Sequence, residues 1–174
     1  MREQPMHVKT GSKRMRVFIL TVTILTAVLA IAVTAVVFTS LYKPSYKPPP
    51  FEQGAVAGMP EAPDSYGYGK IDAMGNFTFW IASVMYRQED GSIRVYFTNP
   101  ADNEEFLLCE VVDHEGNTLY KSGLLRPGEH VVSLNPVKKL ENEAIKVEVK
   151  VYALDSEHFY SAGTVTLDNT LQPY

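Results

Sequence analysis

A single cysteine, Cys109, rules out a disulfide within the chain, so whatever folds here must be held by an apolar core. Histidine is nearly as scarce. His7, His114, His130 and His158 are scattered, and no two stand at the spacing of metal ligands on a helix or hairpin. Beyond residue 42 there are eleven basic residues against nineteen acidic ones, so that region lacks the cationic face that nucleic acid or anionic lipid needs. There is no glycine-rich phosphate loop and no G-x-S-x-G nucleophile elbow. These absences leave no catalytic residue, no cofactor and no metal to name, and they point away from an enzyme.

What the chain does contain is one long apolar run, Val17 to Tyr42, without a charge, proline or glycine. Crossing a hydrocarbon core of roughly 30 Å takes about 20 helical residues, and these 26 suffice. Arg2, Lys9, Lys13, Arg14 and Arg16 precede it against Glu3 alone. Such a basic flank stays on the cytoplasmic side, so residues 1–16 should be inside and everything after Tyr42 outside. The run ends in Phe38-Thr39-Ser40-Leu41-Tyr42, a poor signal-cleavage site, and is therefore read as an uncleaved signal anchor. Thr26, Ala30 and Thr34 recur every four residues, a small-residue spacing that would allow helix–helix contact and self-association in the bilayer.

From Lys43 to Gly69 the composition changes to six prolines and four glycines in 27 residues, which excludes a helix or a central strand. A Pro-rich extracellular stalk is expected there. From Lys70 to Tyr174 the pattern is that of β-structure. In Ala144–Ala153, Ile145, Val147, Val149 and Val151 alternate with Lys146, Glu148, Lys150 and Tyr152, the period of a half-buried strand. Ile93–Thr98 alternates likewise, and further strands are predicted at Asn76–Tyr86, Phe106–Asp113, Thr118–Lys121, Glu129–Leu134 and Tyr160–Asp168. Glu89-Asp90-Gly91-Ser92 and His114-Glu115-Gly116-Asn117 have the glycine a hairpin turn needs. Seven short strands without an amphipathic helix predict an all-β fold: an antiparallel sandwich of the immunoglobulin or fibronectin III kind, preceded by a transmembrane helix and a Pro-rich linker.

The run Tyr120-Lys121-Ser122-Gly123-Leu124-Leu125-Arg126-Pro127-Gly128-Glu129, followed by an alternating strand, a spacer and Ile145–Tyr152, carries a resemblance. It resembles the C-terminal half of small, single-pass immunoglobulin-like surface proteins of Gram-positive bacteria, some associated with mobile elements. The resemblance implies a β-sandwich exposed at a bacterial cell surface. It implies no functional residue.

Several residues could still carry a contact. Lys146, Glu148 and Lys150 share the outward side of their strand and form a candidate interaction face for an unknown protein partner. Trp80, Tyr86 and Tyr96 could cover a binding face for peptide or carbohydrate, although cross-strand packing is the commoner use of such rings. Asp102, Asn103, Glu104 and Glu105 make an acidic loop without the ligand spacing of a calcium site, and so read as a solvated turn. Cys109, between Leu107 and Val111 on one strand face, reads as a buried, inert thiol. The expected function is that of a membrane-anchored, non-enzymatic interaction or accessory module at the cell surface. The alternative is a structural subunit of a membrane or envelope assembly, such as a transfer or secretion apparatus, held through its helix.

Overall fold

The computed structural model describes residues 11–41 and 46–174, which fall in two compact units, residues 1–47 and 48–174. Arg2, Lys9, His7 and the aromatic Tyr42 of the sequence argument lie outside the described residues. In the first unit a helix, α1 (Gly11–Leu41), takes up the apolar run from Val17 to Leu41. Its segment Lys13–Val37 is long and apolar enough to cross a membrane. The threonines are accommodated by back-bonding to their own helix: Thr26 Oγ1 donates to the carbonyls of Val22 (3.1 Å) and Thr23 (2.9 Å), and Thr34 Oγ1 to that of Ala30 (2.8 Å).

The second unit is mostly β. Its ten strands among the described residues are β1 (Val56–Ala57), β2 (Tyr68–Asp72), β3 (Thr78–Ala82), β4 (Met85–Tyr86), β5 (Ile93–Asn99), β6 (Phe106–Asp113), β7 (Thr118–Lys121), β8 (Glu129–Leu134), β9 (Ile145–Leu154) and β10 (Ser161–Gln172). They form two five-stranded sheets, β1-β8-β5-β3-β2 and β4-β10-β9-β6-β7. All pairings are antiparallel except β4 with β10. One apolar core joins the sheets. Phe79 and Ile81 of β3, Phe97 of β5 and Val131 of β8 belong to the same buried cluster as Cys109 and Val111 of β6 and Val147, Val149 and Val151 of β9.

The alternation in β9 is realised as read: Val147, Val149 and Val151 are buried, Lys146 is exposed, and Glu148 and Lys150 are half-exposed. Val149→Ala should therefore cost about 1–3 kcal/mol through lost burial and a cavity. Lys146→Ala should stay within about 0.5 kcal/mol in denaturant unfolding. Equal losses would mean that β9 lies in the opposite register.

Two expectations are corrected. The segment Asn76–Tyr86 is not one strand. It breaks at Ser83-Val84, so that β3 lies in the first sheet and β4 crosses to the second. Phe77, Phe79 and Ile81 point inward with Met85, and the alternation is interrupted only at buried Ala82 and exposed Ser83, where the chain changes sheets. The 43–69 stalk is the larger correction, because its second half belongs to the β unit. Leu124 N donates to Pro50 O and Glu52 N to Leu124 O, both at 2.9 Å, laying residues 50–52 as a strap on the β7–β8 connection. Val56–Ala57 then pairs with His130 and Glu129 at the edge of the first sheet. Residues 58–67, with a short 3-10 turn at Asp64–Tyr66, lead on to β2 at the opposite edge. Proline and glycine bar a central strand, but they are compatible with two-residue edge pairings and single bonds.

Candidate functional site

The outer edge of the second sheet is the feature most open to a partner. β10 pairs with β9 over ten residues, from Ser161↔Leu154 to Leu171↔Ile145, with an irregularity at Ser161/Gly163. On its other side β4 meets it only at Leu171↔Met85 and Gln172↔Tyr86. Among the described residues no strand pairs with that side of residues 161–170. Half the N–H and C=O groups of this stretch are thus left for water or for an incoming strand. The stretch reads Ser-Ala-Gly-Thr-Val-Thr-Leu-Asp-Asn-Thr, rich in β-branched residues, with no lysine and no proline. Of the devices by which edge strands repel partners it carries only the charge of Asp168 and the irregularity at Ser161/Gly163, which leaves residues 164–167 without one.

The lysine–glutamate face lies beside this edge. Register sets Lys146 opposite Thr170, Glu148 opposite Asp168 and Lys150 opposite Thr166. Lys150 Nζ is 3.2 Å from Glu148 Oε2, which compensates the like charges of Glu148 and Asp168. The structure thus brings Lys146, Glu148 and Lys150 together with an edge that sequence reasoning missed. The alternation Thr164-Val165-Thr166-Leu167 was visible, but which side of a strand is unpaired depends on neighbours far away in the chain.

Further in on the same sheet, Glu110 accepts from Thr118 Oγ1 (2.7 Å) and Tyr152 OH (3.1 Å), and Lys121 Nζ lies 3.6 Å away. Partial burial pushes its carboxyl up, but the Thr118 bond, the Lys121 charge and the Tyr152 bond together hold it below the ordinary glutamate value. A depressed carboxyl adds stability that is present above the unfolded value near pH 4.3 and is lost as pH falls through the folded one. Glu110→Gln should make the acid limb of the stability–pH curve shallower, as read by urea unfolding at a series of pH values. An unchanged limb would show that the contacts leave the carboxyl's titration as it is in the unfolded chain.

Trp80, Tyr86 and Tyr96 are brought together, but through rings the sequence had assigned to the stalk. Tyr66 stacks edge-on against Tyr86 (5.5 Å) and Tyr96 (5.0 Å), and Tyr68 lies 5.5 Å from Trp80. Tyr68 OH shares a 2.7 Å hydrogen bond with Thr98 Oγ1, and burial pushes that phenol up. Tyr96 is buried and sits at φ 46° in the β5 irregularity opposite β8. The rings pack on one another and offer no flat platform. Asn103 of the acidic loop is likewise engaged, accepting from Thr78 N (3.0 Å) and donating to Thr78 O and Asn99 Oδ1. Among the described residues no group of three or more His, Cys, Asp or Glu could hold a metal. Cys109 is fully buried, and burial pushes its thiol up to about 12. Thr26, Ala30 and Thr34 do share one face of α1, but the hydroxyls of Thr26 and Thr34 are already satisfied within the helix.

Comparison of the chain with protein-family models and with curated proteins finds no match.

Proposed function

We propose that the protein is a single-pass, membrane-anchored surface module whose outer domain is an immunoglobulin-like sandwich that binds another protein by strand addition at β10. The single observation that carries the binding mode is the ten-residue edge of β10, unpaired on one side among the described residues and free of lysine and proline. Main-chain bonds along such an edge supply affinity, and the flanking side chains Lys146, Glu148 and Lys150 supply selection. The sandwich type is supported by the strand order. β3-β5-β8 facing β10-β9-β6 follows the A-B-E and G-F-C arrangement of these domains, with β7 beside β6 where variable-type domains add C′. The anchor, with its N-terminus in the cytoplasm, is supported by the length of α1 and the basic residues Lys13, Arg14 and Arg16 at its start. The resemblance of residues 120–152 to bacterial surface proteins agrees with this location.

The experiment uses full-length protein in its native membrane with photo-crosslinkers at Thr164 and Thr166. Discrete protein adducts are expected at both positions. Successive residues point their N–H groups alternately at β9 and at the open side. Of the two substitutions Val165→Pro and Thr166→Pro, therefore, one breaks the β9 ladder and lowers the unfolding midpoint, while the other leaves the ladder intact. The ladder-neutral proline should abolish the adducts. Adducts that persist with it would overturn edge binding. Loss of the adducts on replacing residues 17–42 with an unrelated apolar helix would favour the alternative, a subunit held in an assembly through α1.

A further inference from the structure

We propose that the cavity under the β4–β5 turn is a binding site for a small monocarboxylate with an apolar body, received on one edge of the Arg87 guanidinium. Arg87 directly follows β4 and is fixed by its backbone, its N–H donating to Gln172 O at 3.0 Å and its main chain bridging to Ile93. The side chain is 97% buried, since only 3% of its surface is exposed. Nη1 donates to the carbonyl of Glu141, whereas Nε and Nη2 are shut off from solvent and have no hydrogen-bond partner. Among the described residues no carboxylate forms an ion pair with it.

A guanidinium cannot shed its proton, so this is a desolvated cation with two nitrogens idle, an arrangement that is strongly unfavourable unless an anion completes it. The two idle nitrogens lie on the same edge of the planar fork. That edge presents two parallel N–H groups, the geometry that receives a carboxylate through two bonds. Arg87 lines a cavity of about 880 Å³, within the range of small-ligand sites. Val137 and Leu140 give that cavity apolar wall. Glu89, Asp90 and Glu141 line it too, against Lys138 and Lys139, and this balance disfavours an anion of multiple charge. Glu141 belongs to the β8–β9 connection, whose carbonyl occupies the third nitrogen. Because that edge is shut off from solvent, binding there requires the connection to lift.

The test reads the Nε–Hε resonance of Arg87 in nitrogen-15-labelled full-length protein in detergent micelles, assigned by its disappearance in Arg87→Lys. Phenylacetate should move the signal saturably, and the neutral isostere phenylacetamide should not. Lysine offers a point charge without the fork, so Arg87→Lys, followed through the Val137 and Leu140 methyl signals, should bind phenylacetate at least about tenfold more weakly. No saturable shift, or equal shifts with acid and amide, would overturn the site. Inorganic phosphate binding as tightly as phenylacetate would overturn the monocarboxylate assignment. A signal insensitive to phenylacetate but moved by Glu141→Gln or Asp90→Asn would assign the guanidinium to an internal ion pair, and the proposal would fall. None of these readouts depends on the β10 edge.

Discussion

Gly123→Ala should destabilise the β unit by on the order of 3 kcal/mol, a large share of the roughly 5–15 kcal/mol of a domain this size. A Cβ at Gly123 would stand 2.5 Å from Glu52 N, 2.6 Å from Glu52 Cα and 2.7 Å from Phe51 C. These are backbone atoms and cannot swing aside, so the strap of residues 50–52 must lift. With it go the two backbone bonds to Leu124 and the 2.6 Å bond from Gly123 N to Glu52 Oε2, each contributing about 1 kcal/mol net. Phe51 would also leave its place against Phe106 (5.1 Å), Phe159 (6.5 Å) and the Arg126 guanidinium (3.8 Å from the ring centre). That uncovers Leu124 and Leu108, which the second, smaller apolar cluster buries. Denaturant unfolding checks the loss, and limited proteolysis checks the cause. The variant should be cut near Phe51 while the strands remain resistant. A variant of parental stability with a protected strap would show that the strap does not lie on the β7–β8 connection.

That strap marks the boundary of what could be read from residue order. Elements that bury one face of their own announced themselves. Phe106–Asp113, Thr118–Lys121 and Glu129–Leu134 are found at the bounds their patterns predict, and β9 is displaced by a single residue. Elements that exist only because something else offers them a partner did not. Phe51 and Glu52 are ordered by Gly123 and Leu124, more than seventy positions away, and Val56–Ala57 by His130 and Glu129. Their proline-rich composition argued against a helix or a central strand but was silent about docking. The same limit applies to function. Lys146, Glu148 and Lys150 were assignable to an outer face from period two alone, whereas the open side of β10 follows from where β4 stops pairing. Arg87 gave no signal at all. In Met-Tyr-Arg-Gln-Glu-Asp-Gly it reads as an ordinary solvated turn flank, and only the cover of the β8–β9 connection makes it a buried cation.

Asn99→Asp should be the most damaging near-isosteric change in the β unit, and its damage should depend on pH. Asn99 has no exposed surface. Its Nδ2 donates to the carbonyls of Glu105 and Leu125, both at 2.9 Å, and its Oδ1 accepts from Asn103 Nδ2 at 2.7 Å. Asn103 in turn clamps Thr78, so one amide ties β5 to the β5–β6 turn, to β3 and to the Leu125 segment that pairs with Leu107. Aspartate keeps the shape but removes both donors and aims carboxylate oxygens at two carbonyls. Loss of the bonds, with the acceptors left buried, costs about 1–3 kcal/mol, and an uncompensated buried charge adds to it, so about 3 kcal/mol or more is expected at pH 7. Desolvation and the facing carbonyls should raise this carboxyl in the folded state above its unfolded value near 3.9. For a raised folded value, the unfolded chain releases its proton first as pH rises. The penalty is therefore smallest below about pH 4, grows through the interval between the two values, and levels off above the folded one. Urea unfolding of variant and parent at pH 4 and pH 7, taken as the difference at each pH so that the other carboxylates cancel, should show a larger loss at pH 7. Asn99→Leu removes the same donors without introducing a charge, so its loss should be the same at both pH values. If Asn99→Asp also shows a loss that does not change with pH, the side chain at position 99 is reaching water, and Asn99 is not the buried bridge between the sheets.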